Sequence, residues 1–234
     1  MHLTKNGSYP SYKASKRGGY YFTEVPVQAK ASLDLILSMN KIEARSPYGY
    51  FKLKISYPTK SRGPVQPDWI RSICFSETPL SELKFFYGAV VAKRNAYQKY
   101  GLGFWSDKLR AKGVNPIFYL DSRNKTYLSA LDAMVTPNNI SSFQPTLFLH
   151  KTFGPLVTRQ TGYSDFKWER EWRKLGDLLL ADEDIAFGIC SEEEISLYQA
   201  QVKNRFPFID PDWDEVTLRE HLKRFGASAL LDAL

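Results

Sequence analysis

The sequence has few of the residues that mark a secreted, metal-binding or membrane-spanning protein. It contains only two cysteines, Cys74 and Cys190, each in an apolar run, which favours a buried reduced pair over a disulfide framework. Its three histidines are too scattered along the chain to indicate a metal motif. No run of about 18 apolar residues is present, and residues 1–7 begin no hydrophobic signal region. These absences predict a soluble cytoplasmic protein without a metal and without membrane contact.

The common catalytic motifs are also missing. The sequence has no GxGxxG, no GxxxxGK[ST], no HExxH and no GxSxG. Because each of these motifs places a phosphate cradle, a metal ligand pair or a nucleophile, their absence argues against four classes of enzyme. These classes are dinucleotide-fold dehydrogenases, P-loop enzymes, zinc peptidases and serine hydrolases.

The composition indicates one sizeable core and a basic surface. With 234 residues, 43% of them hydrophobic, and no clear linker, the chain is predicted to form a single domain over residues 20–234. Residues 1–19 are polar, basic and rich in turn formers, which predicts a flexible arm. The net charge of +7 favours acidic partners such as nucleic acid, nucleotides or anionic lipid.

Strand and helix patterns follow one another without regular alternation. Residues 51–57 alternate strictly between apolar and polar and are the clearest strand, while residues 80–97 predict an amphipathic helix capped by Thr78 with Pro79 at its first position. This order predicts an α+β fold, a single domain with a mixed, mostly antiparallel sheet and several packed helices. Further strands are predicted at residues 20–23, 101–105, 115–120 and 186–190, and residues 72–79 predict a short apolar strand that runs into the start of a helix. Further helices are predicted at 29–39, 191–203 and from the acidic cluster 210–214 to the C-terminus.

Residues 166–173 combine two acids with two tryptophans and three basic residues. As a strand, the segment places Glu169 and Glu171 on one face with Lys167 and Arg173, and its tryptophans on the other face. The segment also fits a helix, because its tryptophans and the leucines that follow recur at helical spacing. Glu169 and Arg173 would then form an ordinary ion pair. The sequence leaves both interpretations open.

A second candidate site lies within residues 72–79, where the predicted strand leads into the next helix. The hydroxyl groups of Ser76 and Thr78, with the first amides of the helix, form a possible phosphate site, since helix N-termini favour anions. The simpler interpretation is that Thr78 only caps the helix and that Glu77 favours its positive end.

Four short blocks stand out along the chain, at residues 73–80, 100–104, 115–119 and 168–173. They occur in the same order in bacterial abortive-infection proteins of the AbiGi type, so the chain resembles that family over roughly residues 20 to 195. The resemblance implies a role in phage defence as a growth-arresting or toxic effector, with an antitoxin or a phage protein as its partner.

A more distant resemblance concerns chemistry. Residues 21–23 followed by 33–45 are similar to the opening of DNA-modifying ADP-ribosyltransferases. The Glu169-Arg170-Glu171 segment resembles the E-x-E turn of arginine-type ADP-ribosyltransferases, and residues 75–78 are similar to their S-T-S strand. This resemblance implies an ADP-ribosyltransferase-like fold and a transfer of ADP-ribose from NAD to a nucleic-acid or protein acceptor.

The implied reaction assigns roles to particular side chains. Cleavage of the nicotinamide–ribose bond develops positive charge on the ribose, which Glu171 would stabilise while Glu169 orients the acceptor. A guanidinium of Arg45 or Arg173 would contact the pyrophosphate. Basic residues of the arm and of segment 108–112 would attract a nucleic-acid acceptor. The remaining predicted NAD contacts are Thr23, Tyr48, Ser76, Thr78 and Tyr100.

Two other classes of function compete with the transferase. In a nuclease-like toxin, Glu169, Glu171 and Asp177 would bind a hard cation and the positive charge would hold the nucleic acid. In a non-enzymatic module that binds nucleic acid or a protein partner, the acids would only neutralise their basic neighbours.

Overall fold

The chain divides into two compact units. Unit 1 comprises Met1–Lys41, Thr78–Lys108 and Leu180–Leu234, and unit 2 comprises Ile42–Glu77 and Leu109–Leu179. The computed structural model describes residues 2–5, 7–14, 20–44, 57–59, 62–65, 72–93, 97–120, 125–126, 129–130, 149–151, 153–155, 163–165, 170–232 and 234.

Helices and short strands are mixed along the chain, which confirms the predicted α+β class. The strands are β1 (His2–Lys5), β2 (Gly7–Ala14), β3 (Tyr20–Val27), β4 (Lys41–Ile42), β5 (Tyr57–Thr59), β6 (Arg62–Val65), β7 (Ser72–Ser76), β8 (Tyr97–Phe104), β9 (Asn115–Pro116), β10 (Phe118–Leu120), β11 (Leu149–Lys151), β12 (Phe153–Pro155), β13 (Tyr163–Asp165), β14 (Glu171–Leu175), β15 (Leu178–Leu179), β16 (Ile185–Ile189) and β17 (Phe208–Ile209). The helices are α1 (Ala29–Met39), α2 (Leu83–Lys93), α3 (Ser106–Ala111), α4 (Ile195–Gln201), α5 (Glu215–Phe225) and α6 (Ser228–Leu231).

Unit 1 contains a four-stranded sheet in the order β1-β8-β16-β17. The pairs β1–β8 and β8–β16 are antiparallel, and β16–β17 is parallel. A core of aliphatic side chains packs beside this sheet, and α5 contributes Leu218 and Leu222, which lie one helical turn apart on its buried face. Antiparallel β2 and β3 form a hairpin in the same unit. The other buried members of the core are Leu80, Leu83, Ala186, Ile189, Ile209 and Leu230.

Unit 2 contains a three-stranded antiparallel sheet in the order β7-β14-β9. Strand β14 is central, so both of its backbone edges are hydrogen-bonded. Ile73 and Phe75 of β7 are buried. Three further strand pairs belong to this unit, of which β5–β6 and β12–β13 are antiparallel and β10–β11 is parallel. The described pairs are therefore mixed and mostly antiparallel, as predicted.

Several elements confirm the sequence predictions and others correct them. Helix α1 has the predicted bounds, and strand β7 lies within the stretch 72–79 that was predicted to run from a strand into a helix. Helix α5 begins after Asp214, which accepts a hydrogen bond from the backbone N of Thr217 at 2.8 Å. The predicted cap of the helix at 80–97 is wrong. A 3₁₀ turn, Leu80–Glu82, comes first, and Pro79 rather than Thr78 occupies its N-cap position without a side-chain hydrogen bond.

One predicted strand is two strands in the structure, and another prediction falls mostly outside the described residues. The predicted strand at 115–120 consists of two short strands, β9 and β10, which pair with β14 and β11 respectively. Residues 51–56 of the clearest predicted strand lie outside the described residues. Residues 1–19, predicted as a flexible arm, include β1 and β2, and the boundary between an arm and a domain over 20–234 stays a prediction. Among the described residues, no helix has both the length and the apolar character needed to cross a bilayer.

Candidate functional site

The segment that the sequence left open between strand and helix is a strand from Glu171 onward. Strand β14 lies between β7 and β9, and its first residue, Glu171, stands directly across from Ser76. Arg170 has a φ of 41°, in the left-handed region, so the chain turns immediately before the strand. The strand interpretation is therefore confirmed for Glu171 and Arg173, whereas Glu169 lies outside the described residues.

Backbone hydrogen bonds hold the start of β14 on both sides. The backbone N of Glu77 donates to the carbonyl oxygen of Arg170 at 3.0 Å, and the backbone N of Ile117 donates to that of Glu171, also at 3.0 Å. Because successive strand residues alternate between faces, Glu171 and Arg173 share one face and Trp172 occupies the other.

Glu171 and Arg173 form a buried ion pair on that shared face. The Nε of Arg173 donates to Oε1 of Glu171 at 2.8 Å, and its Nη2 donates to Oε2 at 3.3 Å. Only 8% of Glu171 and 1% of Arg173 is exposed. Burial opposes the guanidinium charge, but the adjacent Glu171 carboxylate outweighs burial and raises the pKa of Arg173. Both oxygens of the predicted catalytic carboxylate are thus engaged within the protein.

Strand β7 supplies the neighbours of this pair. Cys74 is opposite Arg173 and Ser76 is opposite Glu171, so hydroxyl, thiol, carboxylate and guanidinium groups share one face of the sheet. Cys74 is an exposed residue, which corrects the expectation that both cysteines are buried; Cys190 is buried, and neither of the two forms a disulfide.

Trp172 joins three segments of unit 2 on the opposite face. Its Nε1 donates to Oε2 of Glu77 at 2.9 Å. The guanidinium carbon of Arg110 lies 4.9 Å from the centre of the indole ring, which is the geometry of a cation–π contact. These three side chains form a Trp–Arg–Glu cluster at the end of the three-stranded sheet.

A second polar cluster, in unit 1, is centred on Glu194. This carboxylate forms an ion pair with Lys30 and accepts hydrogen bonds from the hydroxyl groups of Tyr100 at 2.7 Å and Ser191 at 2.9 Å. Burial opposes the Glu194 charge, but these three partners outweigh it and lower the pKa of Glu194. Burial together with Glu194 raises the pKa of Tyr100 to about 12, so this phenol is neutral at physiological pH.

The side chains that follow Cys190 and β17 extend this polar region. Buried Asp210 accepts hydrogen bonds from the backbone N of Glu192 at 2.9 Å and of Asp212 at 2.8 Å, and Lys99 Nζ lies 3.1 Å from its Oδ1. Burial, with Glu194 and Asp210 nearby, raises the pKa of Cys190 to about 12, which keeps its thiol protonated.

The sequence reveals the members of the Glu194 cluster but not the cluster itself. The Ser191-x-x-Glu194 spacing predicts a capping box. In the structure the Ser191 hydroxyl instead donates to the Glu194 side chain, and no side-chain cap is formed. Lys30 and Tyr100 approach Glu194 from positions 164 and 94 residues away, a relation that no local pattern reveals.

The predicted catalytic and NAD-binding residues are distributed over both units. Ser76, Glu171 and Arg173 lie together in unit 2. Thr23 on β3, Thr78 and Tyr100 belong to unit 1, and the Oγ1 of Thr78 is buried without a hydrogen-bond partner among the described residues. The catalytic and NAD-binding roles of these residues stay predictions, and so does NAD as the substrate. The predicted residues that lie outside the described part of the chain are Arg45, Tyr48 and Glu169.

The carboxylate predicted as a third metal ligand of a nuclease has a structural contact. Oδ1 of Asp177 accepts a hydrogen bond from the backbone N of Ala44 at 2.8 Å. In the part of the chain that the structure describes, no group of three or more His, Cys, Asp or Glu side chains is arranged to hold a metal ion.

Comparison with known proteins gives one family match. The family model described as "Putative abortive phage resistance protein AbiGi, antitoxin" matches residues 43–207, which is more than half of the chain. All four sequence blocks that carry the predicted resemblance lie within this range. No curated protein and no solved structure is similar enough to the chain to match it.

Proposed function

Because this chain belongs to the AbiGi family of abortive phage resistance proteins, we propose that it is the antitoxin of a phage-defence system and restrains a toxin partner by binding it. The sequence resemblance to that family is confirmed, and with it a role in abortive infection. The toxic role expected from the sequence differs from the description of the family, which gives its members the protective role.

The observation that supports a binding role is the state of Glu171. Glycosyl transfer from NAD needs a carboxylate that can reach the ribose. Both oxygens of Glu171 accept hydrogen bonds from Arg173, and the pair is buried in the sheet. Because both oxygens of this carboxylate are engaged by Arg173 rather than available to a ribose, the arrangement favours binding over glycosyl transfer.

Growth of bacteria that express the chain tests this proposal. Expressed alone, the chain is expected to leave growth unchanged. Each gene that flanks its own is then expressed alone and together with the chain. We expect one of these genes to arrest growth by itself, and we expect the chain to relieve that arrest and to co-purify with its product. Growth arrest by the chain alone would contradict the proposal and favour the toxic effector.

The ADP-ribosyltransferase predicted from the sequence is the second candidate. One observation favours it, because β14 places Glu171 directly across from Ser76, the arrangement that the transferase interpretation requires. Purified chain is incubated with labelled NAD and with RNA, DNA or protein extract, and wild type is compared with Glu171→Gln and with the control Glu183→Gln, which changes an exposed carboxylate of unit 1. If label transfer is lost only in Glu171→Gln, and the variants contain the same fraction of folded protein, the result would favour the transferase over the antitoxin as the function of the chain.

A further inference from the structure

Two exposed arginines of unit 2, Arg110 and Arg170, have no carboxylate partner among the described residues. No ion pair and no side-chain hydrogen bond joins either guanidinium to any residue that the structure describes. Every other arginine whose side chain the structure describes forms an ion pair with a carboxylate. These pairs are Arg173–Glu171, Arg205–Asp182, Arg219–Glu215 and Arg224–Glu220.

Both arginines lie beside Trp172 of β14. The guanidinium carbon of Arg110 stands 4.9 Å from the centre of the indole ring. Arg170 precedes Trp172 by two residues, so their Cα atoms are at most about 7.6 Å apart. The backbone N of Glu77 donates to the carbonyl oxygen of Arg170, and its Oε2 accepts from Nε1 of Trp172. Glu77 therefore fixes the position of Arg170 relative to the indole. We call this place the Arg110–Arg170 site.

The contact with Trp172 positions the guanidinium of Arg110 without using its hydrogen bonds. A guanidinium is planar and its N–H donors point outward in that plane, so an aromatic ring against one face leaves these donors available. Two of the donors match two oxygens of a phosphate or carboxylate. A side chain that is already held on a ring also loses less conformational entropy when it binds. The Arg110–Arg170 site is thus prepared to bind an oxyanion.

The charge around the site indicates which oxyanion fits. At the site itself, the exposed carboxylate of Glu77 opposes two guanidinium groups. Over the whole of unit 2, sixteen Lys and Arg residues stand against nine Asp and Glu, so the excess of positive charge is not limited to these two arginines. A single carboxylate or a free phosphate neutralises little of this excess, whereas a nucleic-acid backbone presents phosphates at regular spacing.

We propose that Arg110 and Arg170 bind the phosphate backbone of a nucleic-acid duplex. Contacts to phosphate position a protein on a duplex without reading its bases, so the binding is independent of base sequence. Arg110 belongs to segment 108–112, from which the sequence predicts attraction of nucleic acid. This binding is a second activity of the chain and does not rest on its binding to a toxin.

Fluorescence anisotropy of a labelled DNA duplex, titrated with the full chain at several salt concentrations, tests the site. Arg110→Gln and Arg170→Gln are each expected to weaken binding by about threefold to tenfold and to reduce the salt slope by about 1. Arg110→Lys keeps the charge but loses the planar pair of donors. Its salt slope is expected to equal that of wild type, while its affinity falls between wild type and Arg110→Gln.

Two further variants separate the site from overall charge. Arg224→Gln removes the same charge from an exposed arginine of unit 1 that is paired with Glu220, and is expected to change the affinity by less than about twofold. Glu77→Gln removes the carboxylate of the site, while its amide oxygen can still accept from Trp172. It is expected to tighten binding by about twofold to threefold. Circular dichroism confirms that each variant is folded.

Several results would overturn the Arg110–Arg170 site. They are a wild type that does not bind the duplex at low salt, equal affinities for Arg110→Gln, Arg170→Gln and Arg224→Gln, and weaker binding by Glu77→Gln. If both arginine variants bind the duplex like wild type but fail to relieve toxin arrest, the arginines contact an acidic surface of the toxin. Binding of nucleic acid at this site then fails while the antitoxin function stands. Growth arrest by the chain alone contradicts only the proposed function.

Discussion

At the scale of single residues, the buried Glu171–Arg173 ion pair predicts that the Glu171 carboxylate has a structural role rather than a catalytic one. Glu171→Gln would leave the guanidinium of Arg173 buried opposite a neutral amide. Loss of one partner from a buried ion pair costs about 3–5 kcal/mol, so we expect the free energy of unfolding, measured in urea, to fall by about that amount.

Two variants serve as controls for this loss. Glu183→Gln changes an exposed carboxylate of unit 1 and is expected to alter the free energy of unfolding by less than about 0.5 kcal/mol. Replacement of both partners, Glu171→Leu with Arg173→Met, is expected to recover most of the stability because no buried charge remains. If Glu171→Gln unfolds at the same urea concentration as wild type, the ion pair is not structural.

His221 predicts how stability depends on pH. Its ring lies 4.8 Å from that of Trp213, and its Nε2 is buried without a hydrogen-bond partner among the described residues. Burial, with a smaller effect of Arg224, outweighs a hydrogen bond with the Phe208 backbone and lowers the pKa of His221 from 6.5. Above pH 6.5 the imidazole is neutral in both folded and unfolded chains. Below it the unfolded chain binds the proton first, so stability falls until the lowered folded-state pKa is passed.

Thermal unfolding at about pH 7.5 and about pH 5.5 measures this effect. Wild type is expected to melt at a lower temperature at the acidic pH, and His221→Phe, which keeps an aromatic ring beside Trp213, is expected to lose that part of the difference. Equal pH dependence in the two proteins would assign the effect to other groups. The lowered pKa values of Glu194 and Asp214 act only in the more acidic range of carboxylates.

At the scale of elements, the parallel pair β16–β17 predicts a strict requirement for glycine at position 188. A Cβ added to Gly188 would lie 2.2 Å from Cε1 of Phe208, whose ring is fully buried. Gly188→Ala is therefore expected to lower the free energy of unfolding by about 1–3 kcal/mol, the usual cost of overpacking. Chemical denaturation measures the difference.

Gly88 in α2 provides the matched control. A Cβ added there meets no atom within 4 Å, and the residue is exposed on a helix. Gly88→Ala is expected to stabilise the protein by about 0.5–1 kcal/mol because alanine favours the helix. If the two substitutions have the same effect, contact with Phe208 does not explain the glycine at 188.

Local elements were predictable where the determining interaction is also local. Helix α1 has an apolar repeat of its own, and the cap of α5 joins Asp214 to Thr217, three residues apart. The strand at 115–120 was predicted as one element because its division depends on β14 and β11, which are distant in the chain.

The candidate site shows the same division between local and long-range information. Alternation along a strand is a local property, so the sequence alone predicts that Glu171 and Arg173 share one face. It does not show that both are buried and bonded to each other, since burial depends on β7 and β9. The Glu194 cluster needs Lys30 and Tyr100 from other parts of unit 1, so the sequence yields its members separately.

At the scale of the whole molecule, the net charge of +7 belongs to one unit. Unit 2 contains sixteen Lys and Arg residues against nine Asp and Glu, whereas unit 1 contains sixteen of each. The basic character that the sequence predicts for nucleic-acid contact is therefore concentrated in unit 2. We expect the chain to bind a nucleic-acid duplex weakly, with an affinity that falls steeply as the salt concentration rises.

Matched charge reversals test where such binding occurs. Lys125→Glu with Arg170→Glu reverses two exposed charges of unit 2, and Lys84→Glu with Lys223→Glu reverses two exposed charges of unit 1, so both double variants have the same net charge. The unit 2 variant is expected to bind a labelled duplex less tightly and to reduce the salt slope by about 1 for each phosphate that the protein no longer neutralises. The unit 1 variant is expected to retain most of the affinity and the slope, since its reversals lie outside the basic unit. Equal losses of affinity in both variants would mean that overall charge, rather than the basic surface of unit 2, attracts the nucleic acid.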